Sequence, residues 1–176
     1  TISAPASSHA GLPVGKLSSI THCMKGSQTT GQASVAPRSE ATRAVFADMV
    51  NANADDIAII HAASYGTAIA SANIPLAAGQ NIVLLDEQFP SNVYPWFEKA
   101  KDAGADIITI PRPADDIWTP LILDAITDKT GIVALPHCHW TDGGLIDLVT
   151  IGKRCREVGA ALVVDATQSL GAMPFD

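Results

Sequence analysis

Apolar residues along this chain fall into two alternating patterns. Short runs rich in Ile, Val, Leu and Ala, bounded by polar and turn residues, occur at Ile57–Ala63, Ile82–Asp86, Ile107–Ile110, Ile132–His137 and Ala161–Asp165. Continuous apolar runs of this kind read as strands of a parallel sheet, and the last of them reads as an interior strand. Between them lie segments of helical character, at Arg38–Ala52, Thr67–Ala77, Asn92–Ala103, Leu121–Ile126 and Leu148–Val158. In the first of these, Ala41, Val45 and Met49 recur at spacings of four, which predicts one apolar stripe for the core. Asn51 to Asp56 interrupts the pattern, Gly79 makes a turn, Gly104 stops a helix, and Pro111, Pro113 and Pro120 mark a loop before the short helix. The alternation predicts an α/β protein, a three-layer α/β/α arrangement with a mostly parallel sheet. Right-handed crossovers then bring the loops that follow the strands to one edge.

Composition narrows the function classes. The 176 residues suit a single sizeable core, and 47% hydrophobic against 16% charged is rich in buried surface. A net charge of -7 without a Lys/Arg cluster argues against nucleic acid or an anionic membrane as partner. No apolar run approaches the length of a membrane span, and the amino end shows no basic segment followed by an apolar one. Three scattered cysteines, Cys23, Cys138 and Cys155, fit a reducing compartment better than a disulfide framework, so a cytoplasmic protein is expected.

Four segments carry candidate chemistry, each directly after an apolar run. In Ala161-Leu162-Val163-Val164-Asp165-Ala166-Thr167-Gln168-Ser169, a carboxylate and an amide stand at a strand tip, where open α/β folds place ligands. Asp165 alone could equally cap a strand-to-helix turn. In Ser64-Tyr65-Gly66-Thr67, small residues and a hydroxyl open a helix, where unpaired N–H groups suit a phosphate dianion. Asp86-Glu87-Gln88-Phe89-Pro90-Ser91-Asn92 offers an aromatic face. Pro136-His137-Cys138-His139-Trp140-Thr141-Asp142-Gly143-Gly144 combines histidines with a glycine turn. His137, Cys138 and His139 are spaced so that Cys138 faces away from both histidines, and no metal site is expected.

These four segments resemble the large domain of the class V aminotransferases, the pyridoxal 5'-phosphate (PLP) enzymes that include cysteine desulfurases, kynureninase and isopenicillin N epimerase-like proteins. The resemblance runs from about residue 38 to the end and more faintly through Ile2 to Pro13. It implies the fold type I large domain over residues 38–176, incomplete here, after an amino-terminal arm and small-domain-like segment at 1–37. It further implies that Asp165 pairs with the pyridinium nitrogen, Gln168 touches the ring oxygen, Phe89 stacks on the ring, and Gly66 and Thr67 hold the phosphate. A carboxylate beside that nitrogen keeps it protonated. Ser8, His9 and Trp140 are implied as contacts of an amino acid substrate, and the complete protein as a homodimer. Desulfurases carry His where Phe89 stands and Asn where Trp140 stands, which tilts the expectation toward an aminotransferase or epimerase-like branch.

The family's Schiff-base lysine follows the aspartate by a few tens of residues. None of the six lysines, Lys16, Lys25, Lys99, Lys101, Lys129 and Lys153, follows Asp165, so the chain on its own is expected to be inert. Two other readings compete. A non-catalytic scaffold with the outline of such an enzyme would share these segments. A nucleotide-binding α/β domain would share the alternation, but there is no G-x-G pair, and Gln32 stands where a P-loop needs Lys after Gly26 to Gly31.

Overall fold

The computed structural model describes residues 35–174. Ser8, His9 and Cys23 lie outside the described residues, as does nearly all of the 1–37 segment. The elements, in chain order, are α1 (Val35–Met49), α2 (Ala63–Asn73), β1 (Asn81–Leu85), α3 (Tyr94–Ala103), β2 (Asp106–Ile110), α4 (Trp118–Ala125), β3 (Thr130–Pro136), α5 (Leu148–Val158) and β4 (Ala161–Asp165), with short 3-10 turns at Ala54–Asp56 and Pro90–Asn92. The described strands form one sheet in the order β2-β1-β3-β4, parallel throughout.

Both faces of the sheet are covered, and the strand pleat decides which residue goes where. Ile82, Leu84, Ile132 and Ala134 pack with Ala70 of α2 and with Trp96 and Ala100 of α3. Their neighbours Val83, Leu85, Val133 and Leu135 point the other way, onto Trp118 and Ile122 of α4 and Ile151 and Cys155 of α5. Helices on each face of a parallel sheet make the three layers that the alternation predicts. Gly104 closes α3 in the left-handed region at φ +66°, with its N–H on the last carbonyls of that helix, as expected of a glycine stop.

Three expectations fail. Ile57–Ala63 is not a strand: Ile57 to Ile60 has no regular secondary structure, Ile59 is exposed, and the Ile57 carbonyl accepts from Arg43 Nε at 2.8 Å instead of from a neighbouring strand. The Ala41, Val45, Met49 stripe is exposed, with Val45 63% accessible, because α1 packs through Phe46, Ala47 and Val50 onto Ile57 and the Ala54 turn. The fourth helix begins at Trp118, so Pro120 sits in its first turn, where the missing N–H costs nothing. β4 is an edge strand among the described residues and is only half buried, with Val163 alone fully covered.

The two faces of this result can be weighed by denaturation. Ile132→Ala, at a site with no accessible surface, is expected to cost about 2–5 kcal/mol in urea unfolding. Val45→Ser in the exposed stripe should change stability by less than about 0.5 kcal/mol.

Candidate active site

Strand order reverses between β1 and β3: the chain leaves β1 toward β2 on one side and returns to β3 on the other. A crevice outside the carboxyl ends of two such strands is where open α/β sheets receive ligands. The loops that follow β1 and β3 meet there. Trp140 lies edge-on to Phe89 with ring centroids 5.3 Å apart and planes at 82°. Both rings remain about half accessible, Phe89 at 43% and Trp140 at 49%.

Two backbone carbonyls fix this contact. Trp140 Nε1–H donates to the Glu87 carbonyl at 2.6 Å, and His139 Nε2–H donates to the Asp86 carbonyl at 3.1 Å. Glu87 takes the left-handed conformation at φ +53°, unusual for a residue with a side chain. Behind the turn, buried Gln88 accepts from the Leu85 amide and donates to the Asn92 and Ala134 carbonyls, so Phe89 leaves a turn pinned to both strands.

The β3 loop folds back as a narrow hairpin. Ile146 N–H donates to His137 O, His139 N–H to Gly144 O and Gly143 N–H to His139 O, and Cys138 pairs with Leu145. Gly143 has φ +73°, and a Cβ on Gly144 would come within 2.8 Å of the Trp118 ring and 3.0 Å of Asp142 Oδ1. The close approach lets the Gly144 amide donate to Asp142 Oδ1 at 2.7 Å. Asp142, its side chain 1% exposed, also accepts from Trp118 Nε1 and lies 3.6 Å from Arg112 Nε and 3.4 Å from His139 Nδ1. His139 is fully buried, stacks on Trp118, and has Thr141 Oγ1 at 3.0 Å from Nδ1.

The β4 loop joins on the other side. His137 N–H continues the ladder onto the Asp165 carbonyl, and its Nδ1 lies 2.8 Å from the Oγ of buried Ser169. Desolvation lowers the His137 pKa. Its folded form therefore binds protons less readily than the unfolded chain, and whatever stability this confers is lost as pH falls below the usual imidazole value. Asp165 Oδ1 accepts from the Thr167 amide and hydroxyl, the turn-capping bond that its position allows, while Oδ2 has no protein donor among the described residues. Gln168 is exposed at the same tip.

The helix-start segment has moved relative to expectation. α2 begins at Ala63, so the Gly66 amide already donates to Ala62 O and the Thr67 hydroxyl to Ala63 O. The groups that precede the first helical bond are the amides of Ala63, Ser64 and Tyr65, and the Ser64 side chain is exposed beside them. The end of a glycine-free apolar run gave no signal for this early start. α2 packs on α3 and on the Pro90–Asn92 turn just after Phe89, which ties this helix to the β1 loop. Asn92 Nδ2 in that turn is buried without a partner among the described residues. The two histidines of the β3 loop engage different partners, His137 with Ser169 and His139 with Asp86 and Thr141.

Fold and strand order together define an α/β domain with a topological switch point between β1 and β3. The chain belongs to the aminotransferase class-V family, whose sequence profile matches residues 18–176. Among curated relatives it is 28% identical over 141 residues to the uncharacterized aminotransferase YcbU of Bacillus subtilis, covering 79% of this chain and 37% of that protein. It is 32% identical over 141 residues to a probable cysteine desulfurase of Pyrococcus abyssi, covering 78% of this chain and 35% of the relative. The chain thus spans little more than a third of the length of these relatives. The solved cysteine desulfurase CsdA of Escherichia coli superimposes with a TM-score of 0.73 at 24% identity over 86% of this chain and 40% of that one. The apo cysteine desulfurase of Thermococcus onnurineus gives 0.70 at 24% identity, over 78% and 35%. These likenesses establish the fold, that of the PLP fold type I large domain.

The environments of two cysteines make a direct check. Burial between α5 and the sheet pushes the Cys155 thiol up to about 11, whereas Cys138 is partly accessible. A thiol-specific reagent at pH 8 should modify Cys138 in the folded chain and leave Cys155 unmodified until denaturant is added, as read by peptide mass mapping.

Proposed function

We propose that this chain supplies the cofactor-binding edge of a PLP-dependent enzyme acting on an amino acid. The observation that supports the reading is the meeting of the β1 and β3 loops at the switch point through Phe89 and Trp140, with the β3 loop bonded to the tip of β4 through the His137 amide and the Asp165 carbonyl. The residues fit the group chemically. Asp165 keeps one carboxylate oxygen open at the tip of β4, an acceptor for a ring N–H. Phe89 offers an accessible aromatic face. Gln168 stands exposed three residues beyond Asp165, near enough in sequence to reach the ring oxygen. The α2 start supplies amide donors for a phosphate, and in this reading the amides of Ala63, Ser64 and Tyr65 take the part first given to Gly66 and Thr67.

When bound, the protonated ring accepts the electron pair released as a bond to the substrate Cα breaks. The chain's own share is to hold that charge with Asp165, to fix the ring plane with Phe89 and to exclude water with Trp140. Trp140, whose N–H is already engaged by Glu87, offers a ligand no donor and contributes its ring alone. A site with Phe89 and Trp140 in these places favours transamination or epimerisation over desulfuration. Homodimer formation in the complete protein is part of the reading and is supported by the exposed apolar side chains Val45, Met49, Ile59 and Ile69. A cytoplasmic location is likewise proposed; among the described residues no helix is long and apolar enough to cross a membrane.

Titrating the chain with PLP while following tryptophan fluorescence tests this. Saturable quenching is expected, with Asp165→Ala raising the Kd about tenfold, equivalent to about 1.4 kcal/mol. Ala63→Pro is compatible with the extended Ala62 before it and deletes one amide donor at the helix start. It should weaken binding of PLP but not of pyridoxal, which lacks the phosphate. No saturable quenching in the unsubstituted chain, or equal affinity for PLP in the Asp165 variant, overturns the assignment.

A further inference from the structure

Beneath the aromatic surface lies a charged cluster that the proposed chemistry does not use. Asp142 is a carboxylate with a 1% exposed side chain, and the groups around it come from three separate segments. Trp118 belongs to α4, Arg112 to the loop after β2, and His139 and Gly144 to its own loop. Two of these partners reach onward to the turn that carries Phe89. His139 donates to the Asp86 carbonyl, and Arg112 Nη1 lies 3.8 Å from Glu87 Oε2 while the same guanidinium holds Asp116 at 3.1 Å. Glu87 in turn receives Trp140 Nε1 on its carbonyl, and Trp140 stands against Phe89.

A buried carboxylate is costly unless its oxygens are filled, so this one is stable only with donors in place. The groups facing it are the Arg112 guanidinium and the His139 ring at the distances above, with Glu87 and Asp116 on the far side of the guanidinium. Arg112, drawn to the carboxylate, reaches Glu87 on one side of the Asp86–Glu87 turn, and the His139 ring, held against Trp118 and Thr141, reaches the Asp86 carbonyl on the other. Glu87 in that turn takes the left-handed conformation, uncommon for a residue with a side chain.

We propose that Asp142, acting through Arg112, is a positioning residue that sets the geometry of the Phe89–Trp140 surface. It touches no ligand itself. What the surface receives rests on the reading in the preceding subsection, but the positioning does not.

Tryptophan fluorescence separates the two. Trp96 and Trp118 have no accessible surface, so acrylamide quenching of the folded chain reports mainly on Trp140. Asp142→Asn keeps the side chain's shape and an acceptor for Gly144 while removing the charge that holds Arg112. Arg112→Ala cuts the link to Glu87 from an exposed position and leaves the Trp118 and Gly144 bonds to Asp142 intact, so it remains informative if the Asn variant does not fold. Both variants are expected to steepen acrylamide quenching and shift emission to longer wavelength, and to raise the Kd for PLP about tenfold, the scale of one charge-assisted hydrogen bond. Arg112→Lys should restore part of the effect. Unchanged quenching and emission in folded Arg112→Ala overturn the positioning role. Failure of the unsubstituted chain to bind PLP, with quenching still altered in the variants, overturns the cofactor reading and leaves the positioning role standing.

Discussion

Two backbone carbonyls, those of Asp86 and Glu87, carry the geometry of the site. At the end of β1 the ladder stops, and the carbonyls of these two exposed residues take donors from water or from other segments. Here both donors are ring N–H groups from the next loop across the switch point, His139 Nε2 and Trp140 Nε1. The same two bonds that satisfy the end of β1 bring the aromatic edge of the β3 loop against Phe89. Local satisfaction and site assembly are thus one event, and neither loop reaches this shape without the other.

The sheet makes this possible because its interior strands are insensitive to what happens at their tips. Ile82, Val83, Leu84, Leu85 and Ile132, Val133, Ala134, Leu135 are nearly or wholly inaccessible, with alternate residues committed to opposite helical layers. A slip of one residue would exchange the two faces, so register is firmly set and the last residues of β1 and β3 arrive at fixed positions. Loops with exposed rings, a left-handed glutamate and a buried acid can then be supported at the edge, where the stability of the layers offsets their strain.

The fold was legible wherever burial alone decided it. β1, β3, α5 and β4 lie within one or two residues of the pattern in the sequence, because continuous apolar runs and glycine stops leave few alternatives. The errors fall where an apolar run lacks a neighbour. Ile57 to Ile60 has the composition of a strand, yet Arg43 takes the Ile57 carbonyl and no described strand lies beside it. The α1 stripe has helical spacing, yet its partners Ile57 and the Ala54 turn sit against the adjacent face. Spacing announces a helix but not which side of it finds something to bury against. At the site, residue types marked Phe89, Trp140 and Asp165, while nothing in the sequence marked Asp142 or Arg112, whose roles arise from contacts between segments 30 residues apart. Gly144 was the available signal: a glycine doublet after a polar loop marks close packing, and the packing is against Asp142 and Trp118.

The Trp140 bond also bears on recognition. An asparagine in that position would present a donor and an acceptor to a ligand, and selectivity would come from hydrogen bonding, which discriminates strongly because a mismatched partner leaves a buried polar group unpaired. Trp140 has one donor, and the Glu87 carbonyl holds it at 2.6 Å. What remains is a broad ring next to a second ring, and contacts of that kind contribute about 0.5–1.5 kcal/mol beyond area burial while tolerating many shapes. Under the proposed reading, selection at this wall acts through fit and desolvation. A network that holds the wall rigid matters more in such a site than in one with directional bonds, since a displaced ring has no hydrogen bond to draw it back into place.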